Sequence, residues 1–473
     1  MTCCTAVVAA AANMAETPTR QTSEDLSVDN LDDLRIRAIR PLVPSACLID
    51  DIGGLDDAEV VQSIQSARRS LTRCVRGDDG RLIVVVGPAS AHDPKAVMEY
   101  ARKLKAASAP LSDELIVVMR VFLDEPSGGA GYWSGAMYDP AIDGSFQINK
   151  GFRDARQLLL DINRLGLPAA CLYNDTISPQ FVADLVSWAC ISGRTSSSHL
   201  HRELASGLST PVGFQAGSSS LAAAELAVDA VRASAAPHTF LSVSKQGVAG
   251  IVETTGNRDC HVVLPANAES IEHACAKLDA LELSARVMVS CADAAAVSRV
   301  VSQVSAGGRQ VLGALIPSFL QAGAQPLLAS DATRKYGMSV TEPCMGWEAT
   351  LTALQSLAAA VKQRRSKAMP TPSREESVST YTYAYRSKAM PTPSREESVS
   401  TYIYAYRSKA MPAPSREESV SISTRASARL PQVSCTLRSA MRTPDARITP
   451  VHTPCVRMHS CTGARCKGVD RVL

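Results

Sequence analysis

Two histidines and three cysteines, residue types that commonly bind zinc, lie within residues 452–466 of this 473-residue sequence. A structural zinc site needs four such ligands and commonly includes two cysteines separated by two residues. The spacing here is irregular and contains no such pair. The pattern therefore favours incidental side chains over a zinc site at His452, Cys455, His459, Cys461 and Cys466. The fourteen cysteines are scattered along the whole chain, which indicates reduced thiols and not a disulfide framework.

A lysine offers a different chemistry, because an amine whose pKa is lowered by burial can form a Schiff base with a carbonyl substrate. Lys245, in the segment FLSVSKQG, is the candidate for this role. The hypothesis requires that the fold bury this side chain within a substrate pocket.

The elements that would position catalytic side chains lie before residue 364, where apolar runs alternate with amphipathic stretches. The runs 82–87 and 115–122 are continuous and rich in Val and Ile, as is typical of parallel strands buried on both faces. Between them, residues 93–108 begin with Asp-Pro and continue with apolar residues at helical spacing, which predicts a crossover helix. Eight such runs predict an α/β fold of the closed (β/α)₈ barrel type: 82–87, 115–122, 169–173, 187–191, 211–214, 240–244, 286–290 and 310–316.

The composition excludes several classes of function. Hydrophobic residues make up 45% of the chain, so a sizeable core is expected, and a net charge of +3 gives no electrostatic case for binding nucleic acid or membranes. Aromatic residues, at 4%, are too few for a single-strand stacking platform. No apolar run is long enough to span a bilayer, and no basic residue precedes the small-residue stretch at the N-terminus, so we expect a cytoplasmic protein without a secretory signal.

The sequence repeats itself after the predicted barrel. The segment RSKAMPTPSREESVSTYTYAY begins at Arg365 and returns nearly unchanged at Arg386, and a third, decaying copy begins at Arg407, a spacing of 21 residues. Pro, Ser and charged residues predominate and no copy carries an apolar face, so the repeats are predicted to be disordered and not a stacked array. The predicted organisation is a disordered N-terminus (1–29), a barrel with an N-terminal arm (30–364), the repeats (365–424) and a disordered basic tail (425–473).

The predicted barrel region resembles a known family, the class I 3-deoxy-D-arabino-heptulosonate 7-phosphate (DAHP) synthases. The segments that carry the resemblance include LDDLRIRAIRPLVPSA, GPASAHDPKAVMEYARKLK, DGSFQINKGFRDARQLLLDINRLGLPAA, HRELASGLSTPVGF and GWEATLTALQSLAAAV, all in the family's order. The resemblance implies a (β/α)₈ barrel whose active site lies at the carboxyl ends of the strands. It implies the entry reaction of the shikimate pathway, in which phosphoenolpyruvate, erythrose 4-phosphate and water give DAHP and phosphate.

The resemblance also implies a divalent metal held by a Cys, a His, a Glu and an Asp. The matching positions here are, in that order, Ala89, Asp293, Pro317 and Glu342. Alanine and proline have no side-chain ligand atom, and two remaining carboxylates are a weak basis for a cation site. We therefore expect this chain to have lost the family's metal and to hold no other cofactor.

The positions implied to bind the two phosphorylated substrates have changed as well. Arg120 and Arg194 match arginines that bind phosphoenolpyruvate in the family, and we predict that they either retain this role or form ion pairs, for example with Glu125 or Glu203. Elsewhere the family's cations or acid are replaced, at Glu125, Ser127, Gln215, Pro265 and Leu172. His92 and Asp93 are predicted to cap the helix that follows, and His201 and Arg202 to begin a helix that contacts other subunits.

Two functions follow as alternatives. The first is an active DAHP synthase, a paralogue that supplies a specialised-metabolite pathway. The second is a catalytically inactive barrel that binds a ligand, associates with an active synthase or is a decaying duplicate. A Schiff base at Lys245 is disfavoured because the resembled family has a lysine there without that role. The family also implies oligomers built partly through the arm, here residues 31–43.

Overall fold

The computed structural model describes residues 33–54, 56–125, 133–327 and 333–368. Within these residues, eight parallel strands close into a barrel, in the order β1, β10, β9, β8, β5, β4, β3, β2. The barrel strands are β1 (Leu82–Gly87), β2 (Leu115–Arg120), β3 (Ala169–Tyr173), β4 (Trp188–Ile191), β5 (Val212–Gln215), β8 (His261–Pro265), β9 (Val287–Ser290) and β10 (Val311–Pro317). This confirms the predicted (β/α)₈ barrel.

Helices precede the barrel, connect its strands and follow its last strand. They are α1 (Ser45–Ile52), α2 (Ala58–Arg76), α3 (Pro94–Ser108), α4 (Ile148–Arg164), α5 (Pro179–Val182), α6 (His199–Gly207), α7 (Leu221–Ser234), α8 (Ala268–Ala280), α9 (Ala294–Ser305) and α10 (Trp347–Ala368). The Asp93 carboxylate accepts hydrogen bonds from the amides of Lys95 and Ala96 and so caps α3, as predicted. Pro94 occupies the first turn, where no amide hydrogen is required.

One predicted barrel strand is wrong. Residues 240–243 of the predicted strand 240–244 lie in β6 (Thr239–Val243), which pairs antiparallel with β7 (Ala249–Glu253) in a hairpin separate from the barrel. The sixth barrel strand is β8, which the sequence analysis missed. The burial of the two segments gives the physical reason, because β8 is buried at every position but its last, whereas β6 and β7 are largely exposed. The predicted total of eight barrel strands is right only because the wrongly included segment 240–244 is balanced by the omitted β8.

Successive residues of the strands alternate between the barrel interior and the layer between strands and helices. Ile83, Ile116, Val118 and Leu172 belong to the interior apolar cluster. Their chain neighbours, such as Val84, pack in the cluster between strands and helices. Because both faces of each strand are covered, the strands are apolar throughout, which is the pattern that made them recognisable in the sequence.

The last helix, α10, ends at Ala368 and therefore includes the first four residues of the first repeat. The rest of the repeats, the basic tail, the His and Cys cluster and the N-terminal 1–29 lie outside the described residues. Of the helices in the described part of the chain, none is both long enough and apolar enough to cross a membrane.

Candidate active site

The alternation along the strands directs a set of side chains toward the barrel axis at the carboxyl ends. Ile116 and Val118 of β2 point inward, so Arg120, the last residue of the strand, does so as well. Pro265 lies two residues after the inward-facing Val263, and Pro317 lies two residues after the inward-facing Leu315, so both prolines also face inward. The carboxyl ends of parallel strands all open on one side of a barrel, so these positions surround one mouth.

Three of the six residues named from the family's site contact one another. The Arg120 Nη2 atom donates a hydrogen bond to the Ala89 carbonyl oxygen at 3.1 Å and lies 3.8 Å from the Glu342 carboxylate. Pro317 pairs in register with Gly87, two residues before Ala89. The structure thus brings Ala89, Arg120, Pro317 and Glu342 to one part of the mouth.

Asp293 and Arg194 follow other strands and make local contacts. Asp293 comes after β9, and its carboxylate accepts a hydrogen bond from the amide of Ala296 at 2.7 Å, which caps α9. Arg194 comes after β4 with an exposed side chain, and its amide donates to the Ser192 hydroxyl. Among the described residues the Arg194 guanidinium forms no salt bridge, so the expected ion pair with Glu203 is not found there. For Arg120, the carboxylate within salt-bridge distance is Glu342 and not the expected Glu125.

The side chains at the four metal positions do not fit the family's divalent metal. Ala89 and Pro317 carry no ligand atom, the Asp293 carboxylate is already used as a helix cap, and Glu342 is paired with Arg120. Within the described ranges no group of three or more His, Cys, Asp or Glu side chains could hold a metal ion. A stable site for a transition metal needs such a group of converging ligands.

Two consecutive carboxyl groups, Asp124 and Glu125, follow β2, and Glu125 stands where the resemblance implies a cation. Asp124 is buried, and its carboxylate accepts a hydrogen bond from the amide of Asn174 at 3.0 Å. Burial raises the pKa of Asp124 to about 7 and that of Glu125 to about 8. The Arg120 charge opposes the increase at Glu125, whereas the charges of Glu342 and Asp124 add to it. Among the described residues, the mouth therefore holds these carboxyl groups close to the buried guanidinium of Arg120.

The remaining substrate positions are uncharged. Leu172 is part of the apolar interior. Gln215 lines a small cavity of about 150 Å³ together with Gly193, Ser196 and Ser218. No charged side chain lines this cavity, and its volume is below that of typical ligand pockets, which are roughly 300–1,000 Å³.

Other candidates have structural contacts. His92 packs edge-on against Phe319, with ring centroids 6.0 Å apart. His201 lies in the first turn of α6, where its Nε2 bonds to the Asn174 carbonyl oxygen. Lys245 lies in the turn between β6 and β7, and its Nζ donates to the Gln180 carbonyl oxygen at 2.9 Å. This position is in the connection from α7 to β8 and not at the carboxyl ends of the strands, which removes the basis for a Schiff base there.

The sequence analysis did not single out Asp124, Asn174 or Cys344. The Cys344 sulfur accepts a hydrogen bond from the Ala89 amide at 3.4 Å, so the loop before α10 contacts the end of β1. Asp124 stands directly before Glu125 in the sequence, and this run of two acidic residues after an apolar strand was the available signal.

The chain is similar to known proteins over most of its length. A family model described as the DAHP synthetase I family matches residues 59–355. The chain is 43% identical over 350 residues to the Phe-sensitive phospho-2-dehydro-3-deoxyheptonate aldolase of Escherichia coli K12, a match that covers 71% of this chain and 98% of that relative. It is 40% identical over 362 residues to the tyrosine-inhibited phospho-2-dehydro-3-deoxyheptonate aldolase of Schizosaccharomyces pombe, covering 72% and 96% of the two chains.

A solved structure is similar to this chain as well. The phospho-2-dehydro-3-deoxyheptonate aldolase from Francisella tularensis SCHU S4 superposes with a TM-score of 0.66 at 36% sequence identity, covering 70% of this chain and 99% of that one. The match in sequence, the closed barrel and the nearly complete coverage of these relatives all lead to one family. The chain belongs to the DAHP synthetase I family.

Proposed function

We propose that this chain is a DAHP synthase by descent that no longer carries out the metal-dependent condensation and acts as a binding or regulatory partner of an active synthase. The observation that carries the proposal is the donor set at the mouth. Ala89 and Pro317 supply no ligand side chain, the Asp293 carboxylate caps α9, and the Glu342 carboxylate alone provides too few donors for a metal site. We place the protein in the cytoplasm, at the entry step of aromatic amino acid biosynthesis.

The chemistry of the family explains why this donor set matters. Joining phosphoenolpyruvate to the aldehyde of erythrose 4-phosphate requires a Lewis acid to polarise the carbonyl oxygen. It also requires cations that hold two phosphates and a carboxylate. A charge-assisted contact contributes about 1.5–3 kcal/mol, so the loss of several of them lowers substrate affinity by orders of magnitude. Arg120 is retained, but Glu125 reverses a charge in the same site.

Exposed apolar side chains support a role in association. Leu34, Ile36 and Ile39 of the N-terminal arm are exposed, as are Leu241 and Ile251 of the β6–β7 hairpin. Several exposed apolar side chains on one segment are typical of surfaces that other chains cover when they lie side by side. We propose that the arm and hairpin contact a second copy of this chain or an active relative.

A second candidate function is an active DAHP synthase that supplies specialised metabolism. It is favoured by Arg120, whose buried guanidinium occupies the family's phosphoenolpyruvate position at the end of β2. In this case Asp293 and Glu342 would have to rearrange to bind a hard cation.

One assay separates the two functions. The purified full-length chain is incubated anaerobically with Mn²⁺, phosphoenolpyruvate and erythrose 4-phosphate, and DAHP formation is followed. We expect none above background, while a family member with all four ligands serves as the positive control. The chain is then mixed with that active enzyme, and we expect co-migration on size exclusion and a change in its rate. Metal-dependent turnover by the unmodified chain alone would refute the proposal.

A further inference from the structure

The Arg120 guanidinium has an unused hydrogen-bond donor in a place that water hardly reaches. The residue is 7% exposed, and its Nε atom has no hydrogen-bond partner among the described residues. The guanidinium carbon lies 4.1 Å from the centroid of the Phe122 ring, and Nη2 donates to the Ala89 carbonyl oxygen. A buried donor left without an acceptor is unfavourable. The edge of Arg120 that carries Nε is therefore suited to an acceptor that arrives from outside.

Glu342 is the carboxylate within salt-bridge distance of Arg120 among the described residues, but it holds Arg120 only weakly. The Nη2 to Oε2 distance is 3.8 Å, too long for a hydrogen bond, and the Glu342 side chain is 71% exposed. Ion pairs with one partner in solvent contribute little to stability, and salt screens them further. Glu342 can therefore move into solvent at small cost when another anion takes its place.

The surrounding charges decide which anion can do so. A ligand with a single carboxylate would replace Glu342 one for one, so the net charge around Arg120 would stay the same. It could also bind in the bidentate geometry that Arg favours. A phosphate ester would bring additional negative charge beside Glu125 and Asp124, whose pKa values are raised because burial in this site disfavours the charged form. Further negative charge without a paired cation is unfavourable in a site so poorly solvated.

We propose that Glu342 competes with anions for Arg120, so that the barrel mouth takes a small monocarboxylate in preference to a phosphate ester. The inference rests on the proposed function, because a mouth that rejects phosphate esters cannot carry out the family's condensation. It assigns to Glu342, at a position that the resemblance matches to a metal ligand, the role of a competitor for the anion site at Arg120. The position of the side chain next to Arg120, and not its ability to bind a metal, gives it that role.

The test is a binding measurement on the full-length chain. Isothermal titration at fixed ionic strength and pH compares pyruvate, which has one carboxylate, with phosphoenolpyruvate, which has the same carboxylate and a phosphate. We expect the unmodified chain to bind pyruvate more tightly than phosphoenolpyruvate. Glu342→Gln should tighten the binding of both, by about three-fold as expected for the loss of an exposed ion pair. Glu272→Gln, which removes the same charge from an exposed position on α8, is the matched control and should change neither affinity.

Variants at Arg120 complete the test. Arg120→Met should abolish pyruvate binding, and Arg120→Lys should lose most of it because an ammonium lacks the planar pair of donors. Thermal unfolding of each variant checks that the barrel is intact. Tighter binding of phosphoenolpyruvate than of pyruvate by the unmodified chain, or unchanged affinities in Glu342→Gln, would overturn the inference while leaving the proposed lack of turnover standing. DAHP formation by the unmodified chain would instead refute the proposed function.

Discussion

The Asp293 carboxylate accepts a hydrogen bond from the Ala296 amide at 2.7 Å, so a position that the family uses for a metal ligand is here the N-cap of a helix. A capping side chain satisfies one of the amide groups that the first turn of a helix leaves without a partner. Asp293 thus has a structural role that does not depend on any metal.

Replacing this cap should lower stability. Asp293→Ala removes the acceptor, and we expect the free energy of unfolding to fall by about 1 kcal/mol. Asp293→Asn keeps an acceptor oxygen and should be nearly neutral. Urea unfolding monitored by circular dichroism measures both variants. An equal loss in the two would show that the charge of Asp293, and not its hydrogen bond, is what stabilises α9.

Restoring the family's ligands should restore metal binding before it restores activity. The combined variant Ala89→Cys, Asp293→His, Pro317→Glu and Glu342→Asp is expected to bind Mn²⁺ stoichiometrically, as measured by metal analysis after dialysis. DAHP formation should stay poor until Glu125, Gln215 and Pro265 are also replaced by cationic residues. The metal and the anion-binding residues act on the same substrates, so the effects of losing them on the rate are not additive. High activity in the four-residue variant alone would show that the anion-binding positions matter less than we infer.

Glu125 should make stability depend on pH. Its pKa, raised by burial to about 8, is above the ordinary value of 4.5, so the folded protein keeps a proton that the unfolded chain has lost. Its contribution to stability is therefore present below pH 4.5 and is lost as the pH rises to 8. Glu125→Gln should be more stable than the unmodified chain at pH 8.5 by a margin that shrinks toward pH 5. Unfolding curves at both pH values test this, and a margin that does not change with pH would contradict it.

The buried His261 should make stability depend on pH in the opposite direction to Glu125. Trp188 Nε1 donates to His261 Nε2 at 3.1 Å inside the barrel, and burial lowers the pKa of His261 from 6.5 to about 4. The unfolded chain takes up a proton near pH 6.5 and the folded one only near pH 4, so stability should fall over this interval as the pH decreases. His261→Gln should reduce that dependence. A His261 ring that titrates near pH 6.5 by NMR in the folded protein would refute the prediction.

The pair of Arg156 and Asp184 should be essential to the fold. Arg156 is fully buried, and two of its nitrogens donate to the Asp184 carboxylate at 2.8 Å each. Asp184→Ala leaves a buried charge without its partner, and we expect a loss of about 3–5 kcal/mol. The control is Asp229→Ala, which breaks an exposed pair with Arg232 and should cost less than about 1 kcal/mol. Comparable losses in the two variants by urea unfolding would show that burial of Arg156 is not decisive.

Much of the fold could be predicted from the sequence. Continuous apolar runs such as 82–87 predicted parallel strands because both faces of such strands are buried, and Asp93 with Pro94 predicted the start of a helix. The resemblance to DAHP synthases predicted that Ala89, Asp293, Pro317 and Glu342 would converge at the mouth, with Arg120 and Arg194 nearby. The structure brings Ala89, Arg120, Pro317 and Glu342 together, whereas Asp293 and Arg194 make local contacts. The strand and helix predictions succeeded because each depends on a local pattern, and the meeting of residues from distant strands could be predicted only through the resemblance to a known fold.

The tertiary structure decided which segments pair and which side chains meet. Residues 240–244 and 261–265 are both apolar enough to form barrel strands, and only packing assigns one to an exposed hairpin and the other to the barrel. The sequence also determined that Arg120 is followed by acidic residues, but the carboxylate within salt-bridge distance comes from Glu342, far along the chain. Contacts of this kind depend on the closure of the barrel, which brings loops from distant strands to one mouth, and no local pattern contains that information.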